Sequence, residues 1–256
     1  MKKNLIYDKI EKARKSRFIT NCYSLNVADK CQDLWAEGDE FLFSYSDHGI
    51  NRLIFFVRDW DSIDRLMYRT GTGSYYLEFM SRDPEEYVPA GAALEASMMR
   101  LANSDCRTAF ESNSAVLKFK DTALAEMAQV SDVVEINEIL WGTFKTEISH
   151  LLTDEELTEK IKEKQISIHR DREGKIDALL QAEVMPKKFY INQVVNRAEK
   201  NVIHAILLDR LGEYVKSGGK YLYAWVDSKN IASLKFHHKY GMKHDGMWSM
   251  IYYLEK

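Results

Sequence analysis

Cysteine and proline are scarce in this sequence, three of each in 256 residues, and glycine is held to twelve. So little proline and glycine, with 45% hydrophobic and 29% charged residues, is the composition of a packed globule and not of a linker or a disordered tail. Cys22, Cys31 and Cys106 are odd in number, far apart and in no CxxC pairing. That spacing fits a reducing compartment better than a disulfide framework or zinc knuckle. No apolar run approaches the roughly 18 residues that a membrane span requires. The first eight residues return to charge after one short apolar pair, so no signal-peptide core is read there. A charge excess is missing as well: 36 Lys plus Arg against 39 Asp plus Glu leave −3, with no basic cluster. Nucleic acid is therefore not an expected partner. The expectation is a cytoplasmic protein of one large domain or two small ones, with no membrane segment and no metal.

What is present is clearest in the C-terminal half, where strand and helix periods alternate. Residues 166–170 and 178–185 read as a hairpin about the turn 171–175, and 189–196 as a further strand after the break at Pro186. Residues 201–216 carry Val202, Ala205, Ile206, Leu208, Leu211 and Val215 at helical spacing and end at Gly218-Gly219. A strand over 221–226, a short helix over 230–240 closed by Gly241, and a last strand over 248–254 follow. Upstream, 132–152 and 153–164 read as helices, the second opened by the capping box Thr153 to Glu156, its charge run taken as a solvated face. A strand is expected over 115–120. In the N-terminal half the pattern predicts a helix over 7–17, a hairpin from 41–46 and 52–58, a helix over 59–70, a strand over 75–80, a helix over 85–98 and a strand over 99–103. Matching tails of the two halves point to a duplicated unit, with its join among the turn formers of 103–114.

Residues 225–242, WVDSKNIASLKFHHKYGM, carry a recognisable order: a strand, then Asn230, Ser233, Phe236, Lys239, Gly241 and Met242, followed by Gly246, Trp248 and Tyr252. This resembles the end of a GNAT-superfamily acyl-CoA-dependent N-acyltransferase, closely over about thirty residues and loosely, by element order, over 115–256. The resemblance implies a mixed α/β (α+β) fold: two tandem GNAT-like domains with mostly antiparallel sheets and splayed central strands. A degenerate domain would span 1–110, and an acyltransferase domain 111–256. It further implies acetyl-CoA or another short acyl-CoA as co-substrate, and a primary amine, small molecule or peptide, as acceptor.

Site residues follow from the same resemblance, beside what their chemistry allows. Asn230 can cap the helix it opens and, in the family, approaches the thioester end of the co-substrate together with Ser233. Seven residues past Asn230, where many family members carry a tyrosine that protonates the departing thiolate, stands His237, whose imidazole can do the same near neutral pH. The family's glycine-rich pyrophosphate loop is replaced by 196–205, NRAEKNVIHA, with no glycine. Arg197, Lys200, Asn201 and Val202 at a helix start are left to meet the phosphates, with Glu199 opposing. The thioester carbonyl would take backbone N–H groups near Val194 and Val195. Strand alternation puts Tyr190, Asn192 and Val194 on one face and Ile191, Gln193 and Val195 on the other. Glu183 is the carboxylate nearest in order to serve as base. Tyr190, Asn192, Tyr223 and Trp225 are candidates to line an acceptor groove.

The expected function is N-acyl transfer, acetyl transfer first, from acyl-CoA to a primary amine, with homodimer formation left open. Two alternatives stand beside it. One is a noncatalytic GNAT-like binding or scaffold protein, consistent with the missing glycines. The other is an aminoacyl-transferase of the tandem type, against which the mildly acidic charge argues.

Overall fold

The computed structural model describes residues 2–15, 17–22, 25–116, 125–198 and 200–256. Contacts divide the chain into unit 1, Met1–Met98 with Thr146–His150 and Met247–Lys256, and unit 2, Met99–Lys145 with Leu151–Gly246. This partition cuts the chain at Met98 rather than at the expected 110/111 boundary, and Met247–Lys256 belong to unit 1.

Unit 1 opens with α1 (Lys2–Arg14) and the short β1 (Ile19–Thr20), then β2 (Cys31–Glu37), β3 (Glu40–Asp47) and β4 (Ile50–Val57). The apolar run of β3 and β4 suits a sheet covered on both faces, so Leu42, Phe55 and Leu53 enter one core while Phe41, Phe43 and Phe56 enter another. After β4 comes α2 (Asp61–Tyr68), which buries Ile63, Leu66 and Met67. The chain then crosses to β5 (Ser74–Ser81), which lies parallel to β4. Residues 85–98, expected as a helix, instead form a loop through Pro89 and the start of β6 (Ala93–Asn103). Its Ala, Leu, Glu and Met residues are good helix formers, and strand pairing overrides that weak preference.

In unit 2, α3 (Cys106–Val116) occupies most of the stretch expected as a turn-rich join: Asp105, just before the helix, accepts from Thr108 N and Oγ1, and Asn103 Oδ1 holds the turn ahead of it by accepting from Asp105 N. Of the strand expected over 115–120, Ala115 and Val116 are helical and 117–120 lie outside the described residues. Then come β7 (Glu126–Met127), α4 (Val133–Trp141), α5 (Asp154–Lys162), β8 (Ile166–Arg170), β9 (Ile176–Met185), β10 (Lys188–Asn196), α6 (Lys200–Lys216), β11 (Leu222–Asp227), α7 (Ile231–His238) and β12 (Lys243–Glu255). The helix expected over 132–152 ends at Trp141, where Gly142 caps it.

Helix α6 buries more than a stripe: Ile203, Leu207 and Tyr214 are enclosed along with Ile206, Leu208 and Leu211. It packs on the sheet with one side, and on another Gly212 lets the Phe110 ring of α3 approach closely. Each such aliphatic side chain contributes roughly 1.5–3 kcal/mol on full burial. Gly218 and Gly241 have φ of 90° and 65°, the left-handed geometry that ends α6 and α7. On the opposite face of β8, β9 and β10, α4 and α5 bury Ile136, Ile139, Leu157 and Ile161 against Ile166, Leu179 and Val195. The C-terminal half of β12 pairs antiparallel with β5 from Trp248↔Ser81 to Glu255↔Ser74, which places the end of the chain in unit 1.

Each unit therefore contains the same motif: an antiparallel hairpin, a helix crossover and a parallel strand. In unit 1 it runs β3, β4, α2, β5, and in unit 2 β9, β10, α6, β11.

Candidate functional site

The parallel pair in unit 2 is short. Cα partners run Phe189↔Leu222, Tyr190↔Tyr223 and Ile191↔Ala224, while β10 continues to Asn196 and β11 to Asp227. Past Ile191 the two strands part, and among the described residues the edge of β10 that faces β11 has no strand partner there. A β-bulge lies at the point of parting: on the β9 side the register jumps from Ile191↔Ala182 to Gln193↔Gln181, leaving Asn192 as the extra residue. A bulge inserts one residue and so reverses the alternation beyond it.

That reversal corrects the expected faces. Val194 turns to the α6 core with Ile191 and Leu180, whereas Val195 joins Leu179 under α4 and α5. Gln193 pairs with Gln181 on this latter face, beside Tyr190 and Glu183. Both glutamines are buried, and their side-chain oxygens meet no donor among the described residues.

On the same face Glu183, Tyr190 and Tyr223 stand in register across three strands. The tyrosine rings stack at 4.7 Å and 13°. Tyr190 Oη lies 3.4 Å from Asn192 Oδ1. Trp225, two residues beyond Tyr223, lies under the Arg100 guanidinium at 5.8 Å, and Arg100 Nε donates to Asp245. Glu183 accepts from Lys160 Nζ at 3.0 Å. Lys160 thus leaves the charged face of α5 expected to be solvated and enters the site. Nothing in its i, i+4 spacing could have shown this.

The start of α6 follows β10 after a short loop. The first N–H groups of Lys200, Asn201 and Val202 have no acceptor within the helix, as helix geometry requires. Arg197 is exposed, but its backbone N–H and that of Ala198 both donate to the Asp177 carbonyl, at 2.6 and 3.1 Å. Glu199 lies outside the described residues.

Asn230, Ser233 and His237 form one connected line along α7. Asn230 Oδ1 accepts from Ser233 N at 3.0 Å, the N-cap bond expected. The His237 ring is 3% exposed; its Nδ1 lies 2.7 Å from the Ser233 carbonyl oxygen and 3.3 Å from Ser233 Oγ. A carbonyl only accepts, so Nδ1 carries the hydrogen and Nε2 holds a lone pair. Nε2 is buried and has no partner among the described residues. Burial pushes the imidazole down to about 4, against the hydrogen bond to Ser233. His237 is therefore uncharged at neutral pH, unlike the near-neutral imidazole expected from its type. It hands on a proton only after taking one up.

The equivalent parting of strands in unit 1 is bridged. Cα partners are Arg52↔Tyr76 and Leu53↔Leu77. Beyond them Asn21, 4% exposed, spans the gap: its Nδ2 donates to Leu53 O at 2.8 Å and Glu78 O at 2.7 Å, and its Oδ1 accepts from Phe55 N at 2.8 Å. No sequence signal marks Asn21, which precedes β4 by 29 residues. Replacing it with alanine strands three buried backbone groups. At about 1 kcal/mol per bond the unfolding free energy is expected to fall by about 2–4 kcal/mol in urea titration. A loss well under about 1 kcal/mol would show that this wedge does not hold the strands.

Among the described residues no group of His, Cys, Asp and Glu could hold a metal ion, and no helix is long and apolar enough to cross a membrane. The three cysteines form no disulfide.

No protein-family model and no curated protein sequence matches the chain. Solved structures share its fold. A GCN5-related N-acetyltransferase from Sphaerobacter thermophilus aligns with a TM-score of 0.54 at 12% identity, over 84% of this chain and 76% of that one. A tandem GNAT protein from the clavulanic acid biosynthesis pathway gives 0.53 at 11%, over 86% and 81%. An acetyltransferase of the GNAT family from Colwellia psychrerythraea gives 0.51 at 11%, over 85% and 81%. At such identities the likeness is one of fold.

Proposed function

Given that the chain carries the GNAT N-acyltransferase fold, we propose that it is an acyl-CoA-dependent N-acyltransferase whose reaction takes place in unit 2, where β10 and β11 part. The observation that carries this reading is the contrast between the units: Asn21 bridges the parting strands of unit 1, while those of unit 2 separate past Ile191 at a bulge. An extended thioester arm can add to the edge of β10 near Val194 and Val195 as a strand would. Its pyrophosphate then meets the α6 N-terminus at Lys200, Asn201 and Val202, with Arg197 supplying positive charge. Tyr190, Asn192, Tyr223 and Trp225 line the acceptor side, with Glu183 there as the base.

The reaction forms a C–N bond and breaks a C–S bond: the attacking amine loses a proton and the departing sulfur gains one. Glu183 takes the proton from the amine, and His237 Nε2, with no partner among the described residues, hands a proton to the thiolate after taking one up. Acetyl is the group this reading favours, and a primary amine the acceptor. The enzyme's contribution is chiefly placement and stabilisation of charge at the carbonyl oxygen and sulfur.

Acetyl-CoA at a hundredfold excess over its dissociation constant is expected to stabilise the folded chain by about 2.7 kcal/mol, seen as a rise in melting temperature. Arg197→Ala reduces that rise. One finding favours a second reading, a noncatalytic protein of the same fold: the N–H groups of Arg197 and Ala198 are already spent on Asp177. No thermal shift with acetyl-CoA or other short acyl-CoAs at millimolar concentration would decide for it.

A further inference from the structure

Unit 1 holds a pocket of about 220 Å³ beside the Asn21 bridge, lined by Val27, Tyr45, Ile54 and Tyr76 together with Glu78 and His150. Cavities of about 150 Å³ already admit a benzene ring, so this one has room for a small organic molecule. At its polar end the Glu78 carboxylate is divided between two donors. Ser249 Oγ donates to Oε1, and His150 Nε2 lies 3.1 Å from Oε2. The other ring nitrogen of His150 lies 3.1 Å from Asp47 Oδ2. The ring is set between two carboxylates, yet its side chain is 54% exposed. It comes from Thr146–His150, the segment of the α4 to α5 connection that belongs to unit 1.

The charges around the ring say what it stands in for. Arg52 is the other cation, and each of its three nitrogens already has an acceptor: Asp47 for Nε at 2.7 Å, the Thr146 carbonyl for one terminal nitrogen at 2.8 Å, and the Glu147 carbonyl for the other at 3.3 Å. An anionic ligand would face the Glu78 and Asp47 carboxylates, and each Arg52 nitrogen already has an acceptor within the protein. A cation finds its place already built, because His150 occupies it as one. Burial and Arg52 oppose the ring's charge, but the hydrogen bonds to Asp47 and Glu78 win and push it up to about 9. The same contacts hold Asp47 down to about 2 although burial acts to raise it, and they hold the Glu78 carboxyl below its ordinary value against its burial.

We infer that this pocket is a binding site for a small organic amine with an apolar or aromatic body, whose ammonium group replaces the His150 ring on Glu78. The body lies between Tyr45 and Tyr76, whose ring faces also attract a cation, and against Val27 and Ile54. The displaced ring moves into solvent and the charge balance at Glu78 and Asp47 is kept. All of these residues belong to unit 1, so the site stands or falls separately from acyl-CoA binding in unit 2.

The test uses 2-phenylethylamine and the full chain in isothermal titration at about pH 8. The amine is expected to bind with release of close to one proton, since the freed imidazole returns toward its ordinary value near 6.5. That release appears as a binding enthalpy that depends on the ionisation enthalpy of the buffer. His150→Ala removes the competitor: affinity rises at least about tenfold and the proton release disappears. Glu78→Gln weakens binding at least about tenfold, and 2-phenylethanol, which has the same body without charge, does not bind. Equal affinities of His150→Ala and the parent chain, binding without proton release, equal binding of the alcohol, or no binding to either protein would each overturn the proposal. Should Glu78→Gln not fold, the His150→Ala and alcohol arms still decide it. Thermal shift with acetyl-CoA on the same variants shows whether the unit 2 reading survives independently.

Discussion

Exchange of His237 for alanine is expected to lower turnover by roughly 10²-fold while acyl-CoA affinity changes little, the pattern of an interaction made chiefly in the transition state. The reason is positional: Nδ1 is tied to the Ser233 carbonyl, so on the proposed reading Nε2 is the ring nitrogen left to deliver a proton to sulfur. His237→Phe keeps the ring volume and loses the nitrogens, so it should fall with alanine if the role is chemical and recover if it is packing. Exposed His238, about 100° around α7, tolerates alanine. The pH dependence has a definite sign. An imidazole that must be neutral to accept a proton, and titrates at about 4, gives a rate that does not fall as pH rises from about 6 to 8. The same depressed value means stability present above the unfolded value near 6.5 and lost as pH falls toward 4. His237→Ala removes that part of the acid sensitivity in urea titrations. Parent-level turnover by His237→Ala, with an amine that the parent protein acylates, would return the thiolate to solvent for its proton.

The largest stability loss is expected from Arg52→Ala, about 3–5 kcal/mol, measured by denaturant unfolding. Arg52 is 4% exposed and ties β3, β4 and the segment Thr146–His150 together through Asp47 and the carbonyls of Thr146 and Glu147. Truncation leaves Asp47 inside with His150 as its cation and leaves two carbonyls unmet. Lysine recovers only part of this, because an ammonium cannot reach three acceptors from one rigid plane. A change under about 1 kcal/mol would show that the segment is held by something else. His150 adds its own pH signature. Its value is raised in the fold, so its contribution is full below about 6.5 and lost as pH rises through about 9.

Much of the fold was legible because strong local patterns and tertiary structure agree. Strand β8 and helix α5 with its Thr153–Glu156 capping box stand where periodicity and cap chemistry place them, and β10 and α6 differ from expectation by one residue at their starts. Asn230 caps α7 because a side-chain oxygen there has only local N–H groups to satisfy. The 225–242 pattern likewise pointed to the GNAT fold that the solved structures share. Such features depend on neighbours within a turn or two, and sequence spacing encodes them.

Long-range contacts decided the rest. Strand β6 took residues with helical preference because partners distant in sequence supplied its hydrogen bonds. The α4 to α5 connection is not helical, and Arg52, more than ninety residues earlier, takes the carbonyls that a helix would have used internally. The bulge at Asn192 turned Val194 and Val195 onto opposite faces from those expected, since alternation holds only while register is unbroken. The charge state of His237 and of His150 came from surroundings. One ring is buried without a carboxylate and the other is held between two, so the same side chain is neutral in unit 2 and cationic in unit 1. Residue type and spacing determined which groups were available. Burial and partners brought from distant strands decided their protonation, and whether Asn21 in unit 1 or the bulge in unit 2 would occupy the place where parallel strands part.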